Sequence, residues 1–228
     1  MALLAREDRF PAVPGKLSDL LWGPLFARGY DRFNKLAEDA GLRDKRRALL
    51  ARAQGRTLEI GAGTGVNVEL YPDSVTELVL TEPDSQMGRQ LQKKLAGLGR
   101  AAEVVDAGGE RLPFPDASFD TVVATLVLCT IPDPGAALAE IARVLKPTGH
   151  LLFLEHVRSS DPKVASWQDR LERPWGCFGR GCHPNRDTLA TIQASALEVA
   201  AVERDRIPKA PPIVRPLIVG EARLPSHA

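Results

Sequence analysis

The sequence predicts a doubly wound α/β domain with a mostly parallel sheet and an N-terminal helical arm. The first observation is that short apolar runs alternate with helical patterns, as expected when helices connect parallel strands. The second is the run RTLEIGAGTG at 56–65, in which an apolar strand leads directly into a turn with three glycines. The third is size, because 228 residues, 44% of them hydrophobic, fit one globular domain with a sizeable core.

Local patterns place the elements in order. The helical pattern begins at Leu25, and Phe26 and Tyr30 share one of its faces. Further helices are expected at 43–52, within 65–70, at 85–95, at 134–145, and once or twice in the less regular segment that follows. Strands are expected at 57–60, 77–82, 101–106, 118–128, 151–156, 198–207 and 214–221. The chain is therefore divided into a helical arm or cap at 1–55 and a core at 56–228, with a substrate-side insertion at about 159–195.

Composition limits the cellular compartment and the classes of binding partner that we expect. The first residues carry charges instead of a signal-peptide pattern, and the longest apolar run, at 122–131, is too short to span a bilayer. Three cysteines, an odd number, argue for a reducing compartment, so we expect a cytoplasmic protein. A net charge of +1 with few aromatic residues argues against a nucleic-acid surface. The locally basic arm is either a solvated face beside the core or a peripheral contact with an anionic membrane.

The glycine turn predicts the class of ligand. Glycines at alternate positions allow the backbone to turn tightly and to approach a ligand closely, at the carboxyl ends of the strands. The pattern is G-x-G-x-G and follows an acid, Glu59, whereas the dinucleotide fingerprint is G-x-G-x-x-G. A carboxylate is a poor neighbour for a pyrophosphate and a good one for an ammonium group. The turn therefore favours a nucleoside with a cationic amino-acid tail and disfavours an NAD-dependent oxidoreductase.

The run Glu59–Gly65 resembles motif I of the class I S-adenosylmethionine (SAM) dependent methyltransferases, in their type 11 group. The resemblance continues, in the same order, through Leu80–Asp84, Leu112–Asp120 and Val144–Gly149. It implies a Rossmann-like sheet of seven strands, the seventh antiparallel, with SAM as cofactor and S-adenosylhomocysteine as product. It also implies that the N-terminal region closes over SAM.

Each part of SAM predicts a partner in this chain. Glu82 ends the second strand, where an acid can accept hydrogen bonds from both ribose hydroxyls. The expected SAM contacts are Tyr30, Glu59, Gly61, Ala62, Gly63, Thr64, Gly65, Asn67, Glu82, Pro83, Met87, Gly108, Gly109, Glu110, Thr125 and Leu126. Tyr30 and Met87 have core packing as the alternative. Gly108 stands where many relatives have the aspartate that takes the adenine amino group, so either the backbone at 108–109 or Asp106 must read adenine.

Methyl transfer requires alignment and desolvation of two reactants, and it needs a base only if the acceptor is protonated. A thiol needs little help, whereas an amine or a phenol needs more. His156 ends the fifth strand at the ligand edge and is the candidate catalytic residue. The alternative is that His156 is a hydrogen-bonded structural histidine.

The segment 167–188 is the most distinctive part of the chain. Together with 126–129 and 155–157, it resembles methyltransferase-like proteins that act as alkyl thiol S-methyltransferases in animal membranes, although their hydrophobic N-terminal anchor has no counterpart here. The expected substrate contacts are Cys129, Trp175, Cys182 and Arg186. Arg186 either anchors an anionic substrate or caps the insertion through a buried carboxylate. The C-x4-C-H spacing of Cys177, Cys182 and His183 is not a usual zinc pattern, so no metal is expected.

Three functions follow. We expect a SAM-dependent methyltransferase that acts on a small, fairly apolar acceptor, with a thiol favoured. The second hypothesis is a methyltransferase of a lipid, a quinone or a phospholipid headgroup, because the same core motifs serve those families. The third is a non-catalytic SAM-binding regulatory protein.

Overall fold

A computed structural model describes residues 35–178 and 181–225, without the side chains of residues 177 and 178. Tyr30 and most of the expected arm, including its membrane contact, lie outside these residues, as does the side chain of Cys177. Within the described ranges, no helix is both long enough and apolar enough to cross a membrane.

The core of the fold is one sheet of seven strands in the order β3-β2-β1-β4-β5-β7-β6. The strands are β1 (Gly55–Ile60), β2 (Val75–Thr81), β3 (Glu103–Val105), β4 (Phe119–Thr125), β5 (Leu145–His156), β6 (Glu198–Arg206) and β7 (Pro216–Arg223). Strands β1 to β5 pair in parallel, and β7 is antiparallel to both of its neighbours. The predicted doubly wound sheet with an antiparallel seventh strand is therefore confirmed.

Helices connect β2 to β3 and β4 to β5, and further helices precede β1 and follow β5. They are α1 (Arg43–Leu50), α2 (Ser85–Leu98), α3 (Pro134–Val144), α4 (Pro162–Phe178) and α5 (Thr188–Gln193), with a π-helical turn at Glu38–Leu42 and 3-10 turns at Val68–Leu70 and Pro212–Val214. The carboxylates of Asp84 and Asp133 accept backbone N–H groups at the starts of α2 and α3, which satisfies donors that have no partner inside a helix. Gly99, with φ 63°, ends α2 in the left-handed conformation.

Two elements differ from the prediction around the ligand edge. The helix expected within 65–70 is only the 3-10 turn at Val68–Leu70, and Tyr71 is extended because Pro72 disfavours a helical conformation before it. Strand β4 ends at Thr125, three residues earlier than expected, because Leu126 has φ 55° and leaves the strand direction. Both differences put loop backbone, instead of regular structure, at the carboxyl ends of β1 and β4.

Apolar side chains fill both sides of the sheet. Val79, Val122 and Phe153 are fully buried, as are most of their neighbours in the central strands. Strands covered on both faces are expected to read as continuous apolar runs, and these do. The rigid sheet therefore places the carboxyl ends of β1, β2, β4 and β5 along one edge, where polar residues follow each strand.

Candidate active site

The glycine turn after β1 is packed at two of its glycines and open at the one between them. Gly61, Gly63 and Gly65 have φ values of 62°, 58° and 82°, a region that favours glycine. A Cβ atom on Gly61 would lie 2.3 Å from Val127 Cγ2, and one on Gly65 would lie 2.7 Å from Leu91 Cδ1. A Cβ atom on Gly63 would meet nothing within 4 Å. The turn is therefore held against the core at both ends and exposes bare backbone in its middle.

Glu82 lies directly beside this turn. Its Oε2 accepts a hydrogen bond from the backbone N–H of Gly63 at 2.8 Å, and its Oε1 accepts one from Asp84 N at 2.8 Å. The residue is 8% exposed at the carboxyl end of β2. A carboxylate offers about four acceptor positions. The geometry therefore fixes the carboxylate next to the glycine turn and leaves acceptor positions that suit ribose hydroxyls.

A buried polar network supports the turn from below. Glu59 Oε1 accepts from Asn67 Nδ2 at 2.8 Å, and Glu59 Oε2 accepts from the Tyr71 hydroxyl at 2.7 Å. Thr125 Oγ1 accepts from both Asn67 Nδ2, at 2.9 Å, and Arg46 Nη1, at 2.8 Å. Burial raises the pKa of Glu59 to about 6, although the Tyr71 and Asn67 hydrogen bonds oppose the shift. The network joins the ends of β1 and β4 and holds a carboxyl group that titrates near neutrality.

Arg46 belongs to this network, and the sequence analysis missed it. Its guanidinium donates to Asn67 Oδ1 at 3.2 Å and to Glu38 Oε1 at 2.8 Å, and the residue is 4% exposed. The available signal was its spacing, because Arg46 shares the buried face of α1 with Leu49 and Leu50. An arginine on an apolar helical face needs buried acceptors. Tyr71 was missed in the same way, as an ordinary core aromatic.

The expected adenine contacts occupy the next part of the edge. Met87, Gly108 and Glu110 are half-buried, Pro83 is exposed, and Gly109 is buried. A Cβ atom on Gly109 would lie 2.9 Å from Ile131 Cδ1, so a larger residue there would have to displace the end of the Ile131 side chain. Asp106, the alternative to the 108–109 backbone as the adenine contact, is exposed just after β3.

Three side chains that are distant in sequence meet at the carboxyl ends of β4 and β5. His156, at the end of β5, places Nε2 2.9 Å from Cys182 Sγ, which lies between α4 and α5. Cys129 follows the turn after β4, and all three sulfur and nitrogen atoms lie within 4.8 Å of one another. The backbone N–H of His183 donates to the carbonyl of Cys129 at 2.9 Å and holds the two segments together. Cys129, His156 and Cys182 are called the sulfur–histidine cluster below.

The cluster favours a proton arrangement with a thiolate on Cys182. The hydrogen bond from the Cys129 thiol, followed by that from His156, holds the pKa of Cys182 well below its usual range. The same contact with Cys182, together with burial, raises the pKa of Cys129. Burial opposes a charge on His156, but the hydrogen bond and charge of Cys182 outweigh it and raise the pKa of His156. The contact therefore favours thiolate character on Cys182, with His156 Nε2–H as its hydrogen-bond donor.

Buried polar atoms near this cluster lack a hydrogen-bond partner among the described residues, namely His156 Nδ1 and Glu155 Oε2. Glu155 Oε1, in contrast, accepts the backbone N–H groups of Val127 and Leu128 at 3.0 Å each. Buried polar atoms are normally paired, so the unpaired ones are candidates for contact with a ligand.

Arg186 and His183 differ from the roles considered for them. Arg186 Nη1 donates to the carbonyl oxygens of Leu128 and Ile131 at 2.6 Å each. It therefore ties the insertion to the loop after β4 through backbone carbonyls. The prediction that Arg186 caps the insertion through a buried carboxylate is wrong, because its partners are these carbonyl oxygens. The imidazole Nδ1 of His183 lies 2.9 Å from Glu172 Oε1, so it does not join Cys182 in one set of ligands.

Comparisons with known proteins agree with this architecture. Residues 58–153 match the family model described as a methyltransferase domain. The thiol S-methyltransferase TMT1B of Rattus norvegicus is 36% identical over 171 residues, which cover 72% of this chain and 69% of that protein. The ubiquinone/menaquinone biosynthesis C-methyltransferase UbiE of Hahella chejuensis is 36% identical over 123 residues, covering 52% of this chain and 49% of that protein. A solved SAM-dependent methyltransferase from Thermotoga maritima has a TM-score of 0.63 at 22% identity, covering 88% of this chain and 98% of that one, and shows the shared fold.

Proposed function

This chain belongs to the class I SAM-dependent methyltransferases, and on that premise we propose that its acceptor is a small, fairly apolar thiol, methylated on sulfur. SAM is the cofactor and S-adenosylhomocysteine is the product. The observation that carries the choice of a thiol is the sulfur–histidine cluster at the carboxyl ends of β4 and β5. The similarity to a thiol S-methyltransferase over most of the chain supports the same choice.

The cleft around the glycine turn fits SAM on two observations of this structure. The first is the open face of Gly63, where bare backbone can approach the methionine part of the cofactor. The second is the fixed carboxylate of Glu82, which suits the ribose hydroxyls. In the proposed arrangement Glu59 lies below the ammonium group, and Asn67 and Thr125 lie next to it. When bound, SAM supplies an electrophilic methyl group that an acceptor sulfur takes in one displacement.

The residues of the acceptor side orient the thiol and receive its proton. Burial of Cys129 and His156 excludes water, and Trp175 supplies an apolar wall. His156 Nδ1, which hydrogen-bonds to no described residue, is the atom proposed to take the thiol proton. Glu155 is less suited to this task because two backbone N–H groups already hold its carboxylate. A thiol with an ordinary pKa of about 8.5 needs only such a modest base.

A quinone, lipid or phospholipid-headgroup acceptor is the second candidate. The similarity to UbiE favours it, although that similarity covers about half of each chain. A carbon or amine acceptor would use the same cofactor cleft, because the cleft lies on β1, β2 and β4. The two candidates therefore differ only in what the 159–195 insertion and the cluster bind.

A panel of acceptors tests the proposal. The purified protein is incubated with methyl-labelled SAM and with an alkanethiol, a phenol, an amine or a reduced quinone of matched size. We expect labelled thioether from the alkanethiol and S-adenosylhomocysteine in equal amount. Faster labelling of the quinone, phenol or amine would refute the thiol assignment and leave the methyltransferase assignment unchanged.

A further inference from the structure

The sulfur–histidine cluster brings two thiols and an imidazole together from three separate parts of the chain. Cys129 follows β4, His156 ends β5, and Cys182 lies between α4 and α5. Cys129 is 2% exposed and His156 is 5% exposed, while Cys182 is partly exposed. Within the described ranges, this is the one group of three or more such side chains whose ligand atoms converge closely enough to hold a metal ion.

The chemistry of these groups matches a soft or borderline cation. Thiolates and imidazoles bind Zn²⁺ at about 2.3 Å and about 2.0–2.1 Å, so ligand atoms of a tetrahedral site lie about 3.5 to 3.8 Å apart. The three atoms here lie within 4.8 Å of one another, and His156 Nε2 and Cys182 Sγ are 2.9 Å apart. Small side-chain movements would therefore admit an ion between them.

We propose that Cys129, His156 and Cys182 bind one soft divalent cation of the Zn²⁺ class, whose fourth position is open to the acceptor thiol. This inference rests on the proposed thiol methyltransferase function and names what activates the acceptor in the metal-loaded protein. Three protein ligands and one exchangeable position are the pattern of catalytic zinc sites, whereas structural zinc sites have four protein ligands.

The neighbouring residues leave the fourth position to a ligand from outside. The carboxylate of Glu155 is bound to backbone N–H groups through Oε1. The imidazole of His183 is paired with Glu172. Since Cys182 is the partly exposed member, the fourth position lies on the side that an acceptor can reach.

Binding of the acceptor thiol to the cation is an exchange of one ligand for another. The thiol RSH replaces a metal-bound water molecule, binds as the thiolate RS⁻, and releases its proton to the solvent. In the loaded protein His156 binds the cation through Nε2, so its Nδ1 carries the ring hydrogen and cannot accept a proton. The cation then takes over the formation of the thiolate.

Cobalt substitution tests the site without relying on activity. The untagged full chain, reduced with a non-chelating phosphine, is titrated with Co²⁺ and then with Zn²⁺. We expect one Co²⁺ per chain, sulfur-to-cobalt charge-transfer absorption, the visible bands of tetrahedral cobalt, and displacement by Zn²⁺. Cys129→Ser, Cys182→Ser and His156→Asn should each weaken Co²⁺ binding at least tenfold, as expected from loss of one ligand. His183→Asn, next to the cluster but paired elsewhere, should bind Co²⁺ as the parent does.

Two further measurements separate the possible outcomes. Thiol counting and thermal unfolding are measured on every variant, so that oxidation or misfolding is not mistaken for loss of a ligand. Absence of charge-transfer bands in folded protein with its thiols reduced would overturn the metal site, and so would unchanged bands in Cys182→Ser.

Addition of an alkanethiol should alter the visible bands of the cobalt form, and an unchanged spectrum would overturn the open position. Thiol methylation in chelator-treated protein would leave the proposed function intact while removing the need for a metal. Metal binding without methylation of any thiol would instead refute the proposed function.

Discussion

The side-chain amide of Asn67 donates to Glu59 at 2.8 Å, and this bond links the carboxyl end of β1 to the loop that follows it. The same amide nitrogen donates to Thr125 Oγ1, which also accepts from Arg46. Because Thr125 accepts two hydrogen bonds, its own hydroxyl hydrogen is directed elsewhere and is suited to a ligand acceptor. These hydrogen bonds therefore hold the side chains of Asn67 and Thr125 in fixed positions below the glycine turn.

The first prediction is that SAM affinity depends on pH through Glu59. Its pKa of about 6 means that the carboxylate loses its charge below that pH, while the α-amino group of SAM, with an ordinary pKa near 8, stays cationic. We expect SAM affinity, measured by calorimetry, to fall as the pH decreases through about 6, approaching tenfold per pH unit. Glu59→Gln should bind weakly with a nearly flat profile. An unchanged profile in that variant would remove Glu59 from the ammonium role.

The same group affects folding with the opposite sign. Its pKa is raised from 4.5, so the folded protein holds the proton more tightly than the unfolded chain does. Without SAM, the stability contributed by Glu59 should therefore decrease as the pH rises from about 4.5 to about 6, by about 2 kcal/mol in total. Urea unfolding at several pH values, compared with Glu59→Gln, measures this difference.

The second prediction is that two glycines of the turn have different roles: Gly61 is needed for packing against the core, and Gly63 is needed for SAM to approach the backbone. Gly61→Ala places a Cβ 2.3 Å from Val127 and adds strain at φ 62°, so we expect about 2 to 5 kcal/mol of destabilisation. Gly63→Ala meets open space and should cost only about 1 to 2 kcal/mol of stability, yet lower SAM affinity clearly. Gly97→Ala, inside α2 with no close neighbour, should stabilise by about 0.5 to 1 kcal/mol and serves as the control. Full SAM binding by Gly63→Ala would contradict the proposed cradle.

The third prediction concerns the ribose. Glu82→Ala should weaken SAM binding by about 1 to 3 kcal/mol, the cost of losing charge-assisted hydrogen bonds. Glu77→Ala removes a half-exposed carboxylate from the same strand and should leave SAM affinity unchanged. Calorimetry with SAM and S-adenosylhomocysteine gives both values. Equal affinities for Glu82→Ala and the parent would exclude a ribose contact.

The fourth prediction concerns proton transfer in the metal-free protein. His156→Asn should bind SAM normally and lose turnover with alkanethiols, because no base remains to take the proton. The parent activity should rise with pH through a His156 pKa above its ordinary 6.5, since only the neutral imidazole accepts a proton. A more acidic aryl thiol, already ionised at neutral pH, should restore turnover in the variant. Equal loss with both thiols would assign His156 a structural role.

Local pattern was sufficient to predict the sheet and the polar residues that follow its strands. The alternation of strands and helices depends on neighbouring residues, and the predicted order matches the observed order. Glu82 was found because an acid at the end of β2 is 19 residues from Gly63, a spacing that one βαβ unit determines. The turn at Val68–Leu70 was mistaken for a longer helix because the buried bonds of Asn67 and the effect of Pro72 compete with helical hydrogen bonds.

Contacts between segments that are distant in sequence could not be predicted from local sequence patterns. His156 and Cys182 are 26 residues apart, and Cys129 reaches them only because β4 and β5 are neighbours in the sheet. The adjacent residues Cys182 and His183 invited a joint metal reading, yet His183 turns to Glu172. The sequence alone does not show that Cys182 faces His156 on β5 while its neighbour His183 faces Glu172 on α4.

The two bonds from Arg186 to the carbonyls of Leu128 and Ile131 have a practical consequence for redesign. A chimaera that receives the 159–195 segment from another enzyme would lose this clamp unless the transplanted segment brings an arginine at the same place. The loop after β4 carries Leu126, an expected cofactor contact, and Cys129 of the cluster, so the clamp's loss would affect both places at once. Transplants for new acceptors should therefore exchange that loop and the insertion as one unit.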